Sequence, residues 1–217
     1  MRVVRWTLGV ITVLFVVAVL GRMAWSYYIY TGDLPNIDEL AQLAPKSKSM
    51  VFDPCAGHTV EAIPPSEINE NVRKANWAKE GPASDSDFAM DVAVERVICT
   101  FPPPEELISR SRRLTHHLVK RFTPEQLLAI HLNSFPFVNL RTTGIESASE
   151  QAFHKPASKL ELDEAAYIFA TLDLERPNPG VALELRNGFL DIMVQKQLIT
   201  AQEAAIAKAR PGPPAQN

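Results

Sequence analysis

Glycine is sparse in this chain, 9 residues of 217, while proline is abundant at 17. That balance fits a helical domain with irregular connections better than a β-sandwich. Charge of one sign is also lacking. The formal net charge is −3, so no basic field points to nucleic acid. Cysteine is limited to Cys55 and Cys99, and no Cys/His spacing suggests a metal site. His116 and His117 are adjacent and diverge on a helix, while His131 and His154 stand alone. No Ser-x-x-Lys occurs, which excludes a penicillin-binding transpeptidase site. No internal repeat is visible. The length suffices for one domain with a real core plus an appendage.

What is present begins with the first thirty residues. Arg2 and Arg5 precede an uncharged apolar run from Trp6 to Gly21. Alone it falls short of the ~20 residues that a spanning helix needs. Arg22 can snorkel, and the apolar residues after it extend the span. Trp25, Tyr27, Tyr28 and Tyr30 suit a membrane–water boundary, and the basic start favours a cytoplasmic N-terminus with an exported remainder. The expectation is one transmembrane helix, single-pass in the inner membrane, with the domain on the periplasmic side. A cleaved signal peptide, with Ala24-Trp25-Ser26 as a poor cleavage site, is the competing reading. In an exported protein Cys55 and Cys99 can pair across a long loop, or remain two thiols.

Four regions are expected: a cytoplasmic start and anchor over 1–30, a juxtamembrane segment over 31–66, a helical domain over 67–209 and a disordered tail over 210–217. In the second, Pro35 opens a helical turn at Leu34–Leu40, and strands at Ser49–Phe52 and His58–Ala62 flank an Asp53–Gly57 turn. Ser66 caps a helix running to Lys79. Apolar spacing predicts helices over Phe88–Ile98 and Glu105–Arg121. Thr123-Pro124-Glu125-Gln126 is a helix start with cap, proline and acid in order. Phe135-Pro136-Phe137 is a loop that buries aromatics. Further helices are expected over Gly144–Phe153, Leu162–Leu174, Leu183–Lys196 and Thr200–Ala209.

From Phe122 to Leu198 the residues fall into a recognisable order: Leu127-Leu128, Leu132-Asn133, Gly144-Ile145, Phe153, Lys155-Pro156-Ala157, Glu164-Ala165-Ala166, Pro177-x-Pro179, Arg186-Asn187 and Met193. This run resembles the C-terminal half of glycosyltransferase family 51. That family comprises the peptidoglycan transglycosylase domain of class A penicillin-binding proteins and the monofunctional biosynthetic transglycosylases. Val51-Phe52-Asp53-Pro54-Cys55-Ala56-Gly57 is similar to the family's juxtamembrane "Y-D-x-x-G" turn. The resemblance implies a mainly α, lysozyme-like transglycosylase domain with a small β element near its N-terminus, preceded by the transmembrane helix.

It also implies a chemistry. Such enzymes polymerise a lipid-linked disaccharide: a carboxylate acts as general base on the acceptor hydroxyl, and cations stabilise the leaving diphosphate. Ala75-Asn76-Trp77-Ala78-Lys79-Glu80-Gly81 is similar to the first motif and places Glu80 on the catalytic Glu. Gly81 stands where the family has Asp. The alternative for Glu80 is a solvated carboxylate at a helix end. The Gln-rich second motif has no equivalent near Arg96–Thr100. The Arg-Lys-x-x-Glu motif falls on Leu107, Ile108 and Ser111, without its Glu. Arg96, Arg110, Arg112, Arg113 and Lys155 are the candidates for binding a diphosphate or anionic glycan. For the four arginines the alternative is a solvated basic face touching anionic headgroups. No tightly bound cofactor or resident metal is expected, and a divalent ion would accompany the diphosphate substrate. The implied partners are lipid-linked precursor or glycan strand, the membrane and other cell-wall synthesis proteins. The implied function is a peptidoglycan glycosyltransferase-like protein with degraded catalytic motifs. Its alternative is a pseudoenzyme that binds precursor or docks on cell-wall synthases.

Overall fold

The computed structural model describes residues 15–23, 34–80, 85–100, 107–172, 174 and 178–212; the side chains at 80, 85–88 and 139 are outside that description. Residues 15–23 are helical. Among the described residues no helix is long and apolar enough to cross a membrane. The rest of the expected anchor, residues 81–84 and 101–106 and the end of the expected tail lie outside the described residues.

The juxtamembrane segment folds as expected in kind. Helix α1, Ile37–Gln42, starts at Asn36, whose side chain accepts the Asp38 N–H at 3.0 Å. The cap is therefore the short amide rather than Pro35. Strands β1, Ser49–Asp53, and β2, His58–Ala62, pair antiparallel with Val51 opposite Val60 and Asp53 opposite His58. Alternation buries Val51, Val60 and Ala62 and turns Met50 and Phe52 outward. Gly57 closes the turn at φ 72°, a conformation natural to glycine.

Helix α2, Glu70–Glu80, begins later than its sequence suggests. Pro65–Glu67 forms a 3-10 turn, and Asn69, not Ser66, accepts the Val72 N–H at 2.9 Å. Helices α3, Asp85–Thr100, and α4, Leu107–Arg121, pack along each other. Helix α5, Pro124–Ser134, carries a complete capping box between Thr123 and Gln126. Two short strands missed by the sequence patterns follow: β3, Pro136–Phe137, pairs with β4, Thr142–Thr143. Two residues are too few to show a period.

Helices α6, Ile145–Phe153, and α7, Leu162–Thr171, come next. Helix α8, Pro179–Gln195, starts four residues before the expected Leu183. Proline reads as a breaker, yet at the first helical position its missing N–H costs nothing, and Asn178 caps the turn. Helix α9, Ala201–Lys208, closes the chain with a Thr200–Glu203 capping box.

One buried cluster runs through all of these, from Leu40 and Ile63 through Leu118, Ile130 and Phe169 to Met193. The start of the expected tail belongs to the domain. Buried Arg186 donates to the backbone carbonyls of Lys208, Arg210 and Pro211, and Arg210 reaches Asp163 at 3.1 Å.

Candidate functional site

The face of α4 at which the resemblance expects the second acidic group is closed. Ser111, at the register of the missing Glu, is fully buried. One turn on, the Thr115 hydroxyl donates to the Ser111 carbonyl at 2.7 Å and lies 3.5 Å from the Ala89 carbonyl of α3. Leu107 is half-buried and Ile108 exposed. Helix α3 thus packs on the side of α4 where Ser111 and Thr115 lie, with a hydroxyl and small residues in place of a carboxylate.

The five candidate cations sit on three parts of the chain: Arg96 on α3, Arg110, Arg112 and Arg113 on α4, and Lys155 after α6. Arg96 is buried in α3, and its guanidinium grips Asp53 through both terminal nitrogens, one at 3.0 Å from Oδ2 and the other on Oδ1. Asp53 also accepts the Cys55 N–H at 3.0 Å, and its carbonyl accepts the Gly57 N–H at 2.9 Å. Arg96 therefore holds the turn of the β-hairpin, its charge paired with Asp53 inside the domain. A cavity of about 250 Å³ lies beside it, with Leu40, Phe52 and Cys55 among its walls. Arg110 is half-buried, Arg112 exposed and Arg113 buried on α4. Lys155 sits in the turn after α6 and meets Glu164 of α7 at 2.7 Å. Glu164 simultaneously accepts the Glu161 N–H at 2.8 Å, so this pair also fastens the start of α7.

Glu80 is the last residue of α2, and its side chain lies outside the described residues. Its neighbours Ala78 and Lys79 border a cavity of about 420 Å³, completed by Phe169 and Ala170 of α7 and by Leu185 and Ile192 of α8. The walls are largely apolar, with Lys79 and Glu184 as the charged members. Lys196 donates to the Ala78 carbonyl at 2.7 Å and holds the α2 end against the chain just after α8.

Two polar centres escaped the sequence patterns. Asn133 is fully buried on α5. It accepts the Ile63 N–H at 3.2 Å and donates to the carbonyls of Ile63 and Leu43 at 2.8 and 2.7 Å. Glu146 is buried at the start of α6, accepts the Ala157 N–H at 2.8 Å, and takes a charged hydrogen bond from Lys48 at 2.7 Å. That bond, followed by one to Glu61, holds the Lys48 ammonium well above the ordinary lysine range. His131 is buried beside Phe135, and burial pushes its imidazole down to about 4. The only sequence signal for Asn133 was its place in the Leu132-Asn133 motif, and Glu146 carried none. Among the described residues no group of three or more His, Cys, Asp or Glu is placed to hold a metal.

Residues 109–185 match the family model of the transglycosylases. Over residues 109–185 the chain is similar to the transglycosylases, which supports the resemblance read from Phe122 onward as far as residue 185. The match runs from the first turn of α4 into α8 and includes Arg110, Arg112, Arg113 and Lys155; Glu80 and Arg96 lie before it. No curated protein matches the chain.

Cys55 and Cys99 are bonded to each other with Cα atoms 5.4 Å apart. The bridge joins the hairpin turn to the last turn of α3, next to the Asp53–Arg96 pair.

Proposed function

We propose that this chain is a membrane-anchored, peptidoglycan glycosyltransferase-like protein of cell-wall synthesis that has kept the fold and lost polymerisation. What it retains is the binding of lipid-linked precursor or glycan, or docking on cell-wall synthases. The transglycosylase match supports the glycan side of this reading. The observation that carries the loss is Ser111, buried under α3 at the register of an acidic motif residue. Removing one base or one electrostatic group from such a transition state typically costs ~10²–10⁴ in rate. Arg96 and Lys155 already have their charges paired, with Asp53 and Glu164, which weakens both as ligands for a diphosphate.

The location rests on the basic start, the apolar run and the interfacial aromatics, and on the Cys55–Cys99 bridge. Disulfides persist in oxidising compartments such as the periplasm and are rare in cytosol. A divalent ion would arrive with the diphosphate.

One observation favours a second reading, an active enzyme with a rearranged site around Glu80: the 420 Å³ cavity opens beside the two residues that precede it. Polymerisation of lipid-linked disaccharide by the full-length protein in detergent with divalent metal decides between them. No glycan product from folded protein, together with saturable precursor binding, is the expected outcome. Glycan chains from the wild type and none from Glu80→Gln would establish the active enzyme instead.

A further inference from the structure

We propose that the outer face of α4 is a docking surface for an anionic bilayer. This inference rests on the anchor reading above and adds a second membrane contact within the folded domain. Helix α4, Leu107–Arg121, contains five Lys or Arg residues and two His, and no acid; the nearest acids in sequence, Glu105 and Glu106, precede it. Its solvent side is a single stripe, Ile108, Arg112, His116, Val119 and Lys120, all exposed. The spacing of four, eight, eleven and twelve residues from Ile108 keeps them on one side of a 3.6-residue helix. Ile108 is 68% and Val119 39% exposed, so the stripe interleaves two apolar side chains with two permanent cations. Single exposed apolar residues are common on solvated surfaces, but here two of them lie in one stripe with two cations. A helix lying in a headgroup layer has use for both kinds of residue.

Position supports the same occupant. Arg121, in the last turn of α4, pairs with Asp38 of α1 at 2.8 Å. Helix α1 begins at Ile37, and the interfacial aromatics end at Tyr30. The six residues between Tyr30 and Ile37 let the two lie at most roughly 25 Å apart. The anchor therefore tethers this end of α4 close to the lipid surface, where acidic headgroups attract clustered cations. The opposite side of α4 is buried against α3, so the stripe is the side left for the membrane.

The test uses the full chain with Val119→Cys. Both native cysteines are bonded to each other, so the new thiol alone takes a nitroxide label. The protein is reconstituted in phosphatidylcholine vesicles with and without phosphatidylglycerol. Collision of the label with a water-soluble nickel complex is compared with collision with oxygen. Nickel access is expected to fall several-fold only in the anionic vesicles. It is expected to recover in 1 M salt, where charges are screened within about 3 Å, and in Arg112→Glu/Lys120→Glu. Equal nickel access in both lipids overturns the proposal. Carbonate extraction reads the anchor separately. Were the chain released, co-sedimentation of the soluble protein with phosphatidylglycerol vesicles decides: binding lost in the double variant supports the docking face, and no binding ends it.

Discussion

Asn133 holds Ile63 from both sides, accepting its N–H and donating to its carbonyl, with neither residue exposed to solvent. A third bond to the Leu43 carbonyl brings the end of α1 to the same amide. One side chain on α5 thereby fastens the whole juxtamembrane segment to the domain. Asn133→Leu leaves three buried backbone groups unpaired, each at a cost of about 1–3 kcal/mol. A stability loss of roughly 3 kcal/mol or more is expected, seen as a lower urea midpoint. An unchanged midpoint together with weaker precursor binding would make Asn133 a ligand-binding residue instead.

That amide shows where the sequence was legible. Its motif could be read, because Leu127, Leu128 and Leu132 recur at helical spacing and match the family order. Its function could not, because Ile63 and Leu43 lie 70 and 90 residues away and offer only backbone. Arg96 illustrates the same limit. A cation in the region of a lost motif looks like a substrate ligand until Asp53, 43 residues earlier, is seen in its grip. The capping boxes at Thr123 and Thr200 and the periodic helices depend on neighbours within a turn and were readable, whereas Ser66 was read as a cap that Asn69 supplies. The expected start at Leu183 falls four residues late because Pro179 itself opens the helix. Buried ion pairs depend on the fold itself.

The Asp53–Arg96 pair is buried on both sides, so its two halves are not equivalent to two exposed charges. Asp53→Ala strands a guanidinium in the interior, and a loss of about 3–5 kcal/mol is expected. Asp53→Leu combined with Arg96→Met removes both charges and is expected to recover much of that loss, short of the turn bond to Cys55. Chemical denaturation of Asp53→Leu, Arg96→Met and the double variant measures the coupling. Arg96→Met is also expected to leave precursor affinity unchanged in the fraction that remains folded. A specific loss of affinity at full stability would return Arg96 to the substrate site.

The disulfide closes a loop of 44 residues. Chain entropy for such a loop corresponds to about 4 kcal/mol, with native strain and residual unfolded structure reducing it. Cys55→Ser/Cys99→Ser is expected to lower stability by roughly 2–4 kcal/mol, and reductant is expected to lower the wild type to the level of the variant. Wild-type melting that ignores reductant would mean that the two cysteines are not bonded in solution.

His131 gives the acid limb of stability a specific origin. Burial lowers its imidazole from 6.5 to about 4 in the folded protein. Between those values the unfolded chain binds a proton that the native state does not, so stability rises with pH across the window. The contribution is complete above about pH 6.5 and is lost progressively as pH falls toward 4. Its size is about 3 kcal/mol from the shift alone. Asp163 runs the other way: burial raises its carboxyl, so its contribution declines as pH rises. The measurement is therefore the difference between wild type and His131→Phe, which keeps an aromatic ring beside Phe135. Urea midpoints taken from pH 7 to pH 4 are expected to fall less steeply for the variant. Parallel curves would show that the affinity of His131 for a proton does not change on folding, so that burial does not depress it.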